Sequence, residues 1–233
     1  MNGDAGYRAP RRAETISGTP QMAAYRHIRR NLTQSLAGLP DAAQTDVPAC
    51  PGWTVHDTVA HLVDSCRLAE RNLAGRPPHH VRGELPALLA EWNRSGARVD
   101  RGLRKSASPS AGSVLVMDAY THEVDIRHAL GLPVPVAHPA FRAAFELAVD
   151  GFRAAVLMRG CPALRLETTD GAWHVGDGAP HAIVFGTGHD LYRSLVGRRT
   201  VQQIRELAWT TDPGAWLEAF GWGPFRPPLD PVE

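Results

Sequence analysis

The chain has 233 residues, of which 43% are hydrophobic and 21% charged, a composition typical of a globular protein and not of a disordered or fibrous one. Its 25 basic and 24 acidic residues give a formal charge of +1, so no overall field attracts nucleic acid or a membrane surface, and a small molecule is the expected partner. The three cysteines have no CxxC spacing, which argues against a disulfide framework and a cysteine-type zinc site. This cysteine usage fits a reducing cytoplasm, where we expect the protein to be located. No apolar run approaches the roughly 20 residues that span a bilayer.

The first two thirds of the sequence predict helices. Residues 1–19 lack the apolar stretch of a signal peptide and are predicted to be a flexible leader. Apolar residues then recur at every third or fourth position in five segments, 20–38, 54–74, 85–103, 113–130 and 139–159. Thr54 and Asp57 resemble a capping box at the start of the second helix. The segment 39–53 is rich in proline and is predicted to be an ordered loop, and four helices in succession predict a bundle.

After residue 159 the apolar period changes from helical to alternating. The turn Asp170-Gly171 between alternating segments predicts a β-hairpin, followed by a strand at 181–185. Short helices are predicted at 188–196, 200–207 and 213–220. The predicted fold class is therefore α+β, mainly α. We divide the chain into the leader 1–19, a four-helix bundle 20–158 and a small α+β domain 159–233.

A metal site is predicted inside the bundle. Asp118 and His122 are four residues apart on one predicted helix, so their side chains leave the same face one turn apart. His61 lies among apolar residues in the middle of the second helix, and bundles assemble metal sites from facing helices. Two imidazoles and one carboxylate suit zinc, and three protein ligands leave one position open for water or substrate.

The carboxylates near this site leave alternatives open. Asp125 or Glu123 could replace Asp118 as the ligand, and without a metal the site would be a buried histidine beside an acid paired with Arg127. Asp125 is also a catalytic candidate that could orient His122 by accepting a hydrogen bond from its second ring nitrogen, or it could pair with Arg127 or Arg94.

Two segments of the sequence resemble a known family. The run VPACPGWTVHD from Val47, continuing through His61, and the segment from Asp118 to Gly131 are similar to the signatures of the mycothiol-dependent maleylpyruvate isomerase family in the DinB-like superfamily. Residues 166–173, 190–191 and 197–199 resemble its sterol-carrier-like C-terminal domain. The resemblance extends from residue 20 to about residue 220.

The resemblance implies a role for particular residues. His61 and His122 match the family's zinc ligands, and Asp118 stands where the family usually has glutamate. In such enzymes the metal binds the sulfur of mycothiol and lowers its pKa, which gives a thiolate that attacks an electrophilic carbon. The family's C-terminal domain also contributes an arginine that would bind a substrate carboxylate, and Arg198 and Arg199 are the candidates for it. The alternative is that both are helix-terminal arginines exposed to solvent.

Other residues have weaker claims. Trp53 and Asp57 are candidates for cofactor binding, but we favour Trp53 as a core anchor of its loop and Asp57 as a helix cap. Six further histidines show no ligand spacing and are predicted to be surface or loop residues: His79, His80, His138, His174, His181 and His189.

The leading hypothesis is a zinc-dependent (or other divalent-metal) transferase or isomerase that uses mycothiol as cosubstrate on a small electrophile. One alternative is a metal-assisted enzyme that needs no thiol, such as a Lewis-acid isomerase, cyclase or hydrolase. The other is a non-catalytic binding protein. We expect a monomer or a homodimer, without nucleic-acid or membrane partners.

Overall fold

A computed structural model of the chain describes residues 20–74, 83–103, 110–135 and 137–233. The predicted leader 1–19 lies outside the described residues, as do His79, His80 and most of the loop at 104–112. The five predicted helices are confirmed, with bounds that differ by three residues at most: α1 (Pro20–Ala37), α2 (Val55–Ala74), α3 (Leu85–Leu103), α4 (Ser110–Ala129) and α5 (Phe141–Met158). None of the described helices combines the length and apolarity needed to cross a membrane.

Helices α1 to α4 form the bundle. Helix α1 packs against α3 and α4, and α2 packs against the same two helices. The apolar stripe of α1, which includes Tyr25, is fully buried. In the core, the indole nitrogen of Trp92 donates a hydrogen bond to the Tyr25 hydroxyl at 2.9 Å, which gives the buried indole N–H an acceptor.

A charged pair crosses the bundle between α1 and α3. Arg29 donates to Asp100 at 2.9 Å, and both side chains are about 95% buried. Gly96 makes room for the guanidinium, because a Cβ at this position would lie 1.0 Å from Arg29 Nη1. The absence of a side chain at residue 96 therefore allows this pair to form.

A second cluster of charges lies where α2 meets α3. Glu91 accepts hydrogen bonds from Arg67 at 2.9 Å, from Ser95 at 2.8 Å and from Arg94 at 3.0 Å. Burial by itself would raise the pKa of Glu91, but these hydrogen bonds outweigh it and lower the pKa to about 2. Glu91 therefore stays ionised and ties the two helices together.

The predicted hairpin is confirmed and belongs to a four-stranded sheet in the order β2-β1-β3-β4. Strands β1 (Leu164–Thr168) and β2 (Gly171–Val175) are antiparallel, β3 (Ala182–Phe185) pairs parallel with β1, and β4 (Ala208–Trp209) pairs antiparallel with β3. Helices α6 (Gly188–Leu195) and α7 (Val201–Arg205) complete the unit. Helix α5 contacts α4 on one side and β2 and α6 on the other, and so joins the sheet to the bundle.

Two predictions for the C-terminal part and its connection need correction. Residues 213–220 form two short 3-10 turns instead of one α-helix: Trp216 N donates to Pro213 O at 2.9 Å and Ala219 N donates to Trp216 O at 2.8 Å, which are three-residue steps. His138 lies in the loop before α5, one of the two predicted places, but it is buried there and not at the surface: it lies 3.1 Å from Glu123 and 4.9 Å from the Tyr120 ring. The fold class, α+β and mainly α, is confirmed, while the division into domains at residue 158 stays a prediction.

Candidate metal centre

A tight turn before α2 positions the first wall of the site. Trp53 N donates to Cys50 O at 2.9 Å, and Gly52 has a φ of 80°, so Cys50-Pro51-Gly52-Trp53 has the pattern of a type II turn with proline and glycine in their preferred places. Val47 N donates to Trp53 O at 2.9 Å and anchors the turn to the start of the loop. The turn thus fixes both Cys50 and Trp53 beside the helix bundle.

The first turn of α2 is capped as predicted. Thr54 N donates to Asp57 Oδ2 at 2.9 Å, and Asp57 N donates to Thr54 Oγ1 at 3.2 Å. The Asp57 carboxylate accepts hydrogen bonds from Thr54 N and from the Thr54 hydroxyl, and both lower the pKa of Asp57. Asp57 is exposed and does not line the cavity described below, so its observed role is that of a helix cap.

The three predicted metal ligands come together. His61 of α2 and Asp118 of α4 are separated by 3.2 Å between Nε2 and Oδ1, and His122 Nε2 lies 3.7 Å from the same oxygen. Burial tends to raise the pKa of Asp118, but hydrogen bonding from His61 and the nearby imidazoles lower it, while the Asp118 hydrogen bond raises the pKa of His61. The second carboxylate oxygen, Asp118 Oδ2, is buried and has no hydrogen-bond partner among the described residues.

This donor set fits a divalent metal. Ligand bonds of about 2.0–2.1 Å in tetrahedral geometry separate neighbouring donor atoms by about 3.3 Å. The two measured separations, 3.2 and 3.7 Å, bracket that value. A buried carboxylate oxygen without a partner is costly, and a cation beside it would remove that cost.

Asp125 lies behind His122 and is completely buried. Its Oδ2 is 3.0 Å from His122 Nδ1, so the other ring nitrogen of His122 is left for the metal side. Arg198 donates to Oδ2 at 2.8 Å and Arg193 donates to Oδ1 at 2.5 Å. Burial opposes ionisation of Asp125, but the charges of these two arginines hold its pKa well below the ordinary value.

The alternatives that pair Asp125 with Arg127 or Arg94 are wrong. Arg127 pairs with Glu123 at 2.9 Å, one helical turn away, and Arg94 pairs with Glu91 on α3. Local spacing favoured these pairs, but the partners that Asp125 has in the structure come from α6 and the segment after it.

Cys50 is a site residue that the sequence analysis did not single out. Its sulfur lies 3.6 Å from His122 Nδ1 and 3.6 Å from Asp125 Oδ2. Burial, with the Asp125 charge, raises the pKa of the Cys50 thiol to about 12. Cys50, His122 and Asp125 are close enough to share an ion, but Asp125 already pairs with two cations, Arg193 and Arg198, which disfavours a further cation there. The only sequence signal for Cys50 is its place in the loop motif.

A cavity of about 790 Å³ opens beside the three donors. Trp53 lines it, with its ring 5.1 Å from that of His61 and stacked at 6.2 Å on that of His122. The prediction of Trp53 as a core anchor is wrong: the side chain is 36% exposed, because the turn at Gly52 carries it over the two histidines and away from the core. Arg198 lines the cavity, whereas Arg199 does not; Arg199 pairs with Asp190 and Glu233.

A second histidine group lies elsewhere. His128, His189 and Glu233 have donor atoms within 4.8 Å of one another, and both histidines line a separate cavity of about 1000 Å³. Arg193 and Arg199 already bind the two oxygens of Glu233, and its pKa falls to about 2 because these partners and His189 outweigh burial. This arrangement disfavours a metal ion.

Comparisons with known proteins agree with the resemblance in sequence. Residues 25–130 match the model of the mycothiol maleylpyruvate isomerase N-terminal domain. Crystal structures of the mycothiol-dependent maleylpyruvate isomerase and of a mutant of it are similar, with TM-scores of 0.55 and 0.53, 16% identity, and coverage of 82% of this chain and 92% of theirs. At that identity the likeness shows the fold alone. No curated protein sequence matches the chain. The segment from residue 25 to residue 130, just under half of the chain, thus matches the mycothiol maleylpyruvate isomerase N-terminal domain family.

Proposed function

We propose that this chain is a metal-dependent isomerase or S-transferase that uses mycothiol on a small electrophile, with zinc as the first choice of metal. His61, Asp118 and His122 would hold the ion. The observation that carries the proposal is the convergence of His61 Nε2 and His122 Nε2 on the Asp118 carboxylate beside a cavity large enough for a small molecule. Both nitrogens lie near Asp118 Oδ1, and the second oxygen, Oδ2, is buried without a described partner. The match to the mycothiol maleylpyruvate isomerase N-terminal domain supports mycothiol as the thiol.

A bound zinc ion would supply a positive charge that lowers the pKa of a thiol sulfur and makes it a nucleophile at neutral pH. Residues around the three donors would hold His122 in the orientation that metal binding requires. Asp125 Oδ2 lies 3.0 Å from His122 Nδ1, where it would accept a hydrogen bond from that nitrogen and hold the ring with Nε2 toward the metal. Arg193 and Arg198 hold Asp125 ionised and in place, which makes them positioning residues.

Asp118, which stands in place of the family's glutamate, still brings its carboxylate close to the two histidine ligands. Its oxygen remains 3.2 Å from His61 Nε2, although the side chain is one methylene shorter. We therefore expect metal binding to survive this departure. A cytoplasmic location, where low-molecular-weight thiols stay reduced, is part of the proposal.

Metal content tests the centre. The protein is purified without chelator or immobilised metal, and bound metals are measured by mass spectrometry for the wild type, His122→Ala and the control His174→Ala, which changes an exposed histidine on β2. We expect near-stoichiometric zinc in the wild type and control and its loss in His122→Ala. A wild type that stays empty after zinc is added would contradict the metal centre.

Turnover tests the thiol. The metal-loaded protein is assayed for cis-trans isomerisation and for S-conjugation of unsaturated ketones and esters, with and without mycothiol. Activity that requires the thiol supports the proposal. Turnover that requires metal but no thiol favours a Lewis-acid enzyme, and ligand binding without turnover in any assay favours a binding protein.

A further inference from the structure

The cavity beside the candidate metal centre has apolar walls. Val114 and Leu68 line it although they are 57% and 46% exposed, and Trp222 and Phe225 reach it from the C-terminal part of the chain. Apart from the three donors and Arg198, the described polar side chains in the lining are uncharged: Trp53, Ser65, Asn72, Thr121 and Trp222. An apolar ligand would gain free energy by leaving water for this cavity.

Arg198 is the one guanidinium among the described residues that line the cavity, and each of its nitrogens has an acceptor. Nε donates to Asp125 Oδ1 at 3.3 Å, Nη2 donates to Asp125 Oδ2 at 2.8 Å, and Nη1 donates to Val196 O at 2.8 Å. The fork that would bind a carboxylate through two parallel hydrogen bonds is therefore already used by Asp125.

The charges around Arg198 also balance. Three arginines and three carboxylates form one connected network: Arg193, Arg198, Arg199, Asp125, Asp190 and Glu233. With three positive and three negative groups, the network leaves no surplus positive charge for an anionic substrate. A carboxylate that entered the apolar part of the cavity would lose its hydration without gaining a free cationic partner among the described residues of the lining.

We infer that the substrate is an uncharged electrophile with an apolar body, such as an enone or an unsaturated ester, and not a dicarboxylate. This inference rests on the proposed function, because the electrophilic carbon is assumed to meet a thiol at the metal centre. The apolar body would lie against Leu68, Val114 and Phe225. The sequence-based role of Arg198 as receptor for a substrate carboxylate is replaced by its contact with Asp125.

A matched pair of substrates distinguishes an uncharged substrate from one that carries a carboxylate. The probes are the methyl ester and the free acid of one long-chain 2-enone, whose remote terminal group leaves the reactivity of the double bond unchanged. Metal-loaded protein and mycothiol are used, and kcat/KM is divided by the uncatalysed rate of the same reaction. We expect the ester to be favoured by about tenfold or more, since the acid must desolvate its charge.

Binding is measured independently of turnover. The saturated ketones of the same pair lack the double bond to which a thiol adds in this reaction. Their binding is followed through quenching of tryptophan fluorescence, because Trp53 and Trp222 both line the cavity. We again expect the ester to bind about tenfold tighter or more.

A charge placed in the wall should change this preference. Val114→Arg puts a cation on an exposed position of α4 and should shift the ester-to-acid ratio toward the acid by about fivefold or more. Leu157→Arg is the matched control: Leu157 is 46% exposed, lies on α5 and lines neither described cavity. The control should keep the wild-type ratio.

The outcomes separate the inference from the proposed function. Thiol-dependent turnover with the acid equal or preferred overturns the inference and leaves the proposed function intact. Tighter binding of the ester without turnover of either probe supports the ligand class and refutes the thiol chemistry. Equal binding of ester and acid without turnover counts against the inference that the ligand is uncharged and apolar. An unchanged ester-to-acid ratio in Val114→Arg counts against it as well.

Discussion

Replacing Asp125 by asparagine tests the buried support of His122. The substitution keeps the size of the side chain but removes a charge shared by Arg193 and Arg198, and the side chains of Asp125 and Arg193 are both 0% exposed. Removing one partner of a buried ion pair costs about 3–5 kcal/mol, and we expect the upper end because Arg193 and Arg198 both lose this charge, although Arg193 keeps Glu233. For a chain of this length the loss corresponds to about 10 °C or more in Tm.

The free energy of unfolding is measured with urea at pH 7 for Asp125→Asn and for the control Asp150→Asn. Asp150 is a carboxylate on α5 that is 64% exposed and pairs with Arg153 one turn away, so the control should lose less than about 1 kcal/mol. Zinc affinity, measured by competition with a chelator, should fall about 10- to 100-fold in Asp125→Asn only. If both variants lose the same small amount and keep their zinc affinity, the assigned role of Asp125 is wrong.

Three further substitutions probe features that position the site. Glu91→Gln should lower the free energy of unfolding by about 2 kcal/mol at pH 7. Because the pKa of Glu91 in the folded protein is depressed to about 2, the stability advantage of the wild type is complete above the ordinary pKa of about 4.5 and disappears as the pH falls toward 2. Urea unfolding of both proteins at about pH 7 and about pH 2 checks this pH dependence. Gly96→Ala should cost at least about 3 kcal/mol by the same assay, because the new Cβ displaces Arg29 from Asp100, whereas Gly38→Ala, with no atom within 4 Å, should be nearly neutral. Thr54→Ala should cost about 1 kcal/mol, since it removes the acceptor for Asp57 N, and a loss below about 0.3 kcal/mol would refute the capping assignment.

The sequence predicted the helices well because their signal is local. The apolar spacing in 85–103 gives the observed bounds of α3, and the four-residue spacing of Asp118 and His122 places both on one face of α4. The arrival of His61 beside them followed from the packing expected of a bundle and from the resemblance.

The parts that were missed depend on contacts that are distant in sequence. Asp125 meets Arg193 and Arg198, which are 68 and 73 residues away, and nothing in the local spacing selects them over Arg127. The direction of Trp53 depends on the backbone of Gly52, which composition does not specify. Strand β4 has only two residues, too few for an alternating pattern to be visible.

The ion pairs of Asp125 also constrain how this protein can be recombined. The carboxylate belongs to the helical segment that matches the family model, while both of its guanidiniums come from residues after that segment. A chimaera that joins these helices to the C-terminal part of another protein would bury Asp125 as an isolated anion unless the donor carries arginine at both equivalent places. Residues 125, 193 and 198 should therefore be exchanged as a unit when parts of such proteins are swapped.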